Sequence, residues 1–302
     1  MNTLKDKLYQ YRLLVIIVCL CLIGGCGYGL YKSFNKKDDS YVTHVSNGDS
    51  AVAKTGDVTI TKDDLYEYFL DNDGLNMTLN SSINYVANQE ITDQDAINSK
   101  VEELKQQYLQ YASATDLDSY AKDAGYKDEA DFIKQIIKPN AKIQLLQEKY
   151  VEDNYKNLLK EYKVKYIKYF TVDTESQALK IIKECTSEDA FTNYFNENSG
   201  TDAGLVTTES SSVDSKIIKK LDKFTKDGIY AKAIKTSESK YAIVWVYNTD
   251  KSNLKDEIKE SLTSSSDFST KCETYYLRKY HFDVYEPSIK KKIKKSSKDY
   301  FE

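Results

Sequence analysis

Catalytic chemistry most often needs histidine, cysteine or paired carboxylates, and this 302-residue chain is poor in the first two. Its two histidines, His44 and His281, have no candidate partner, so neither a Ser/His/Asp nor a Cys/His site can be assembled from them. Three of the five cysteines, Cys19, Cys21 and Cys26, sit in an apolar N-terminal run, which leaves Cys185 and Cys272 for the rest of the chain. Two cysteines make neither a disulfide scaffold nor a zinc ligand set. A single bridge is open to them outside the cytoplasm, but two unpaired, partly buried thiols are the reading we favour. Asp71-Asn72-Asp73-Gly74 invites a calcium loop, yet the fifth ligand position would be Leu75 and the twelfth Ser82, where oxygen donors are required. Asp116, Asp118 and Asp123 are read as solvated surface. The six lysines from Lys290 to Lys298 are read as a solvated tail, although such a run could touch anionic lipid or wall polymer. No metal site and no cofactor are expected.

The N-terminus carries the clearest local signal. Lys5, Lys7 and Arg12 precede an uncharged run from Leu13 to Tyr31, the pattern of a signal peptide or membrane anchor over residues 1–31. Within it, Leu22-Ile23-Gly24-Gly25-Cys26 resembles a bacterial lipobox, which makes Cys26 the expected lipidation site; an uncleaved anchor helix is the alternative. Either way the basic flank stays inside and the body lies on the extracytoplasmic face of the cell membrane. With 43 basic against 47 acidic side chains, the net charge of −4 gives no case for nucleic acid as a partner.

These features must be held by ordinary globular structure, since the chain is 40% hydrophobic and has only two prolines, Pro139 and Pro287. Residues 32–50 read as a polar linker. From Ala51, two short strand pieces surround a Thr-Gly-Asp turn, and Thr61 with Asp64 reads as a helix N-cap. Amphipathic helices follow to about residue 161, one opening at Thr92-Asp93, one broken by Gly125 and a long one opened by Pro139. The period changes at Val164, where a β-rich run to Val172 leads into helices around 174–185 and 190–195 and a serine-rich loop. A short helix from Ile217 and strands at 228–235 and 241–247 complete a small α+β unit. Helix returns at 253–280, with a short strand expected at Phe282–Tyr285. The resulting segments are 51–161 with 251–288 as one helical domain, 162–250 as an inserted α+β domain, and 289–302 as the basic tail.

This order of elements, with Val52-Ala53-Lys54-Thr55, Thr61 to Tyr66, and Ala121 to Tyr126 followed by Asp131-Phe132, resembles the PrsA/SurA-type foldases over nearly all of residues 20–290. The resemblance implies an α+β fold: a discontinuous helical chaperone module with a parvulin-like domain inserted in it. Parvulins of this group carry a Ser-His-Ile-Leu strand, a Gly-Gly-Asp-Leu-Gly-Trp-Phe loop, a Met and a Phe lining the proline pocket, and a late Gly-Tyr-His-Ile-Ile strand. Here Tyr169 stands at the first histidine and Ala242 at the second. The loop is reduced to Ala203-Gly204-Leu205-Val206-Thr207 without its acidic group, and Val213 and Ile217 fall near the substrate-pocket positions.

Rotating an X-Pro bond crosses a barrier of about 18–20 kcal/mol, which an enzyme lowers with polar groups aimed at the twisted amide. With those groups absent, no catalytic residue is expected. The function implied is a membrane-tethered foldase that binds unfolded or newly secreted proteins, its parvulin-like domain inactive. The tyrosine-rich helices, drawn from 26 tyrosines in all, offer it an amphipathic binding surface. An active prolyl isomerase and an envelope lipoprotein that binds a small ligand or structural partner are the alternatives, and a homodimer is an option.

Overall fold

The structure, a computed structural model, describes residues 45–112 and 116–301. The chain opens with a hairpin, β1 (Ala51–Thr55) and β2 (Val58–Thr61). Helices α1 (Lys62–Asn72), α2 (Gly74–Glu90), α3 (Gln94–Ala112), α4 (Leu117–Asp123), α5 (Glu129–Phe132) and α6 (Lys138–Glu161) follow. The next stretch is β3 (Lys165–Val172), α7 (Glu175–Glu184), α8 (Glu188–Glu197), β4 (Thr201–Val206), α9 (Ser215–Lys220), β5 (Gly228–Ile229), β6 (Ile234–Lys235) and β7 (Tyr241–Tyr247). Three helices close the chain: α10 (Lys255–Thr263), α11 (Ser266–Lys279) and α12 (Pro287–Ser296). Two compact units result, one from the residues up to Lys149 together with Ser266 onward, the other from Tyr150–Ser265. The fold is therefore α+β, a discontinuous helical module interrupted by a mixed domain.

Local chemistry sets the helix ends of the helical unit. At the start of α1 the Thr61 hydroxyl accepts the Asp64 N–H at 3.2 Å, and the Asp64 carboxylate accepts the Thr61 N–H at 2.7 Å, a complete capping box. Asp93 accepts the N–H groups of Asp95 and Ala96 to start α3. Gly125, at φ +90°, carries the turn that stops α4. The long helix expected at Pro139 begins at Lys138 and directly continues a π turn over Ile133–Ile137. That wider turn suits a ring which cannot donate an N–H and crowds the carbonyl four residues back.

One core of this unit joins the two ends of the described chain. Leu70 of α1 packs with Leu277 of α11, Val284, Ile289 and Ile293 of α12, and Tyr300, with Tyr66, Phe69, Leu75 and Leu79 around them. The lysine-rich segment read as a solvated tail is thus an amphipathic helix: Ile289 and Ile293, four apart, lie inside at 5% and 0% exposure. The strand expected at Phe282–Tyr285 is absent; these residues form an irregular connection without a partner strand, which carries Val284 into the same core.

The second unit is built on an antiparallel sheet in the order β4-β3-β7-β5, with β6 also paired to β7. Register fixes its two faces, because side chains alternate along each strand. Ile167 and Tyr169 of β3 share one face with Ala242, Val244 and Val246 of β7, packed against α9. Phe170 and Val172 share the other with Ile243 and Trp245, packed against α7 and α8. The segment read as a reduced loop, Ala203–Thr207, is mostly strand: β4 pairs with β3, with a bulge at Ala203 beside Gly204 at φ +61°. The single strand expected over Gly228–Lys235 is instead two short strands that pair with separate parts of β7.

Candidate functional site

The positions singled out in the inserted domain converge on one place. Tyr169, half-buried on β3, lies against the cluster that holds Ala242, Val213 and Ile217, together with Val206, Ile218, Leu221 and Ile234. Ala242 faces Thr171 across the β3–β7 ladder, and Tyr169 faces Val244. Val213 and Ile217 are 4% and 0% exposed, so both point at the sheet rather than at solvent.

Chemically this face is apolar. Neither histidine of the chain falls within Tyr150–Ser265, so the unit holds no imidazole. Cys185 is a free thiol buried in the cluster on the opposite face, and burial raises its pKa, which disfavours the thiolate. At the rim, the Lys165 ammonium donates to the Phe224 carbonyl at 2.5 Å, and burial followed by the nearby Lys251 lowers its pKa. The carboxylate closest in sequence to the expected loop, Asp202, turns to the other face, where it accepts the Tyr247 hydroxyl at 2.9 Å. Lys168 stands 4.0 Å from Asp202, 3.9 Å from Glu188 and 5.1 Å above the Tyr247 ring. Sequence reasoning missed this polar group because it treated residues 203–207 as a loop, and a loop has no alternation to read. The Tyr169 face is thus lined by aliphatic side chains, with the Tyr169 ring against the cluster.

A different kind of site lies on the helical unit. The β1–β2 hairpin is exposed along nearly its whole length, with Val52, Val58 and Ile60 at 51%, 66% and 43%. Gly56, at φ +59°, makes its turn, and the Ser50 and Gly48 carbonyls tie its base to the N–H groups of Lys62 and Asp63. Leu65 and Tyr68 continue the apolar exposure along α1, and Met77 and Tyr85 along α2. Tyrosine divides by place: Tyr108 and Tyr300 are core, while Tyr68, Tyr85, Tyr111, Tyr275 and Tyr285 lie open to solvent. Of the eleven exposed large apolar side chains among the described residues, Leu179 alone belongs to the inserted domain. Such a surface can hold extended apolar peptide, and the open edges of the hairpin can hydrogen-bond to it. Cys26 and the run Leu13–Tyr31 lie outside the described residues, and no helix within them is long and apolar enough to cross a membrane.

No family model matches the sequence, and no curated protein matches it. Among solved structures, the peptidylprolyl isomerase PrsA of Bacillus cereus is similar over 83% of this chain and 100% of its own, at 17% identity and a TM-score of 0.51. The foldase protein PrsA of Streptococcus pneumoniae covers 81% of this chain and 98% of its own at 19% identity, with a TM-score of 0.36. A SurA-like chaperone of Campylobacter jejuni covers 78% and 99% at 16% identity, with a TM-score of 0.23. The likeness to the B. cereus protein is one of fold, and it is a PrsA-type fold that this chain has.

Proposed function

We propose that this chain is a foldase-type chaperone tethered to the outer face of the cytoplasmic membrane. Its helical unit holds unfolded segments of newly exported proteins, and its inserted domain keeps a parvulin-like sheet without isomerase chemistry. The observation that carries the reading is the segregation of exposed apolar side chains onto the helical unit, in a fold shared with a PrsA protein. A monomeric protein normally exposes such side chains singly; several along one hairpin and its adjoining helix suit a surface that is covered part of the time. The basic flank and Cys26 support the tether.

The absence of isomerase activity rests on the occupants of the sheet face, Tyr169 and Ala242 above Val213 and Ile217. Uncatalysed prolyl isomerisation takes about 10–100 s, which is slow enough for a refolding assay to resolve. With a substrate whose slow phase is proline-limited, the protein is expected to leave that phase unchanged at substoichiometric ratios while suppressing aggregation at stoichiometric ones. Acceleration at catalytic ratios would overturn the inactive-domain reading. Failure to suppress aggregation of any unfolded secretory protein would overturn the chaperone reading.

A further inference from the structure

We infer that α12 and the turn after it form a basic face that docks on an anionic membrane surface through lipid phosphates. Residues 287–301 carry six lysines against one acid, Asp299, a net of +5 in a chain of net −4, so the remainder of the protein carries −9. That separation of charge is larger than a helix end requires, since one or two cations complement its terminal carbonyls. Packing then decides where the lysines point. Ile289 and Ile293 are inside, Lys290 is bonded to Asp283 at 2.6 Å, and Lys292 is bonded to the Leu70 carbonyl at 2.6 Å, so these hold the helix in place. Lys294, Lys295 and Lys298 are left on the exposed side. Together with Thr270, Thr274 and Asp299 they line a cleft of about 270 Å³. Exposed ammonium donors around an open cleft suit a phosphodiester, while the Thr274 hydroxyl already donates to the Thr270 carbonyl and the single carboxylate there opposes an anion.

The occupant follows from where the described chain begins. Val45 donates its N–H to Asp63 near the start of α1, and α12 is bonded to the far end of α1 through Lys292. From Cys26 to Val45 the chain spans at most about 65 Å when fully extended, so a tethered helical unit carries this basic face within reach of the bilayer. The inference rests on the tethered reading given above, and the test separates the two.

The full chain is reconstituted into vesicles of phosphatidylcholine alone or with phosphatidylglycerol, floated on a density gradient, and its lysines are acylated and mapped by mass spectrometry. In anionic vesicles at low salt, the reactivity of Lys294, Lys295 and Lys298 is expected to fall several-fold, as an attraction of about fivefold per lysine near a charged surface implies. It should recover near 1 M salt, where the screening length is about 3 Å. Lys127 and Lys134, exposed elsewhere on the same unit, should not change. In the variant Lys294→Gln/Lys295→Gln, the protection of Lys298 should vanish. A chain that does not float overturns the tether. A chain that floats with all lysines equally reactive in both vesicles overturns the docking. Protection produced in neutral vesicles by a soluble polyphosphate, and not by anionic lipid, overturns the membrane as the source of phosphate.

Discussion

Replacing Ile293 by alanine tests whether the C-terminal helix is part of the fold, on which the placement of the basic face depends. Ile293 is 0% exposed and packs among Leu70, Leu277, Val284, Ile289 and Tyr300. The substitution removes three carbon atoms, a transfer loss of about 2.4 kcal/mol at about 0.8 kcal/mol per group. A residual cavity adds to this, because large-to-small core changes of this kind cost about 2–5 kcal/mol in total. The site has little freedom to collapse: a Cβ added at Gly74 would sit 3.1 Å from Ile289 Cδ1, so α2 and α12 are already in close contact. Alanine returns about 0.4 kcal/mol as the better helix former. The expected net loss is about 3 kcal/mol, which lowers the melting temperature of a unit of this size by about 6–12 °C. Calorimetry and urea unfolding followed by circular dichroism measure it, with Lys294→Ala as the neighbouring surface control, expected within about 0.5 kcal/mol of the parent. A loss below about 1 kcal/mol for Ile293→Ala, or one equal to the control, would refute the packed helix and restore a solvated tail.

Val58→Ser with Ile60→Ser should leave stability within about 1 kcal/mol, because both side chains are largely exposed, yet weaken aggregation suppression. Unchanged suppression would remove the hairpin from the binding surface. Glu273 accepts the Tyr300 hydroxyl at 2.5 Å, but burial outweighs that bond and holds its carboxyl above the ordinary range. The folded state then binds the proton more tightly than the unfolded one. Stability is accordingly lost as pH rises from the unfolded pKa through the folded one. Glu273→Gln should flatten that part of the pH–stability curve and be the more stable form at pH 8, read by urea titration; an unchanged slope would show that this carboxyl is not the cause.

Much of the scaffold was legible because its signals are local. The Thr61/Asp64 capping box, the β3 run and the β7 run from Tyr241 to Tyr247 needed only neighbouring residues to be recognised. Strand β4 was not, since Ala203 and Gly204 have poor strand propensity and form a bulge in it, and the strand is defined by pairing of its other residues with β3, a partner more than thirty residues away. At the C-terminus the signal was present and outvoted. Ile289 and Ile293 carry helical spacing, but six lysines dominated the composition, and lysine stems tolerate the border of a core. Tyr169, Ala242, Val213 and Ile217 were marked only by the resemblance to parvulins, and it is the register of β3 on β7, which no local pattern announces, that puts them around one cluster. What no local pattern announced was the opposite polar group, because the Asp202–Tyr247 bond joins the ends of two strands that are not neighbours in the sheet.

A core assembled from Leu70, Leu277 and Ile293 has a temporal consequence. As the polypeptide is synthesised from its N-terminus, α1 is made first and its partners are not yet there. The interposed sheet, whose strands all lie between residues 165 and 247, has everything it needs much sooner. Maturation therefore runs from the middle outward. Until the final turn has been made, the newborn molecule displays an unpaired apolar seam and is briefly prone to the aggregation that its finished core prevents.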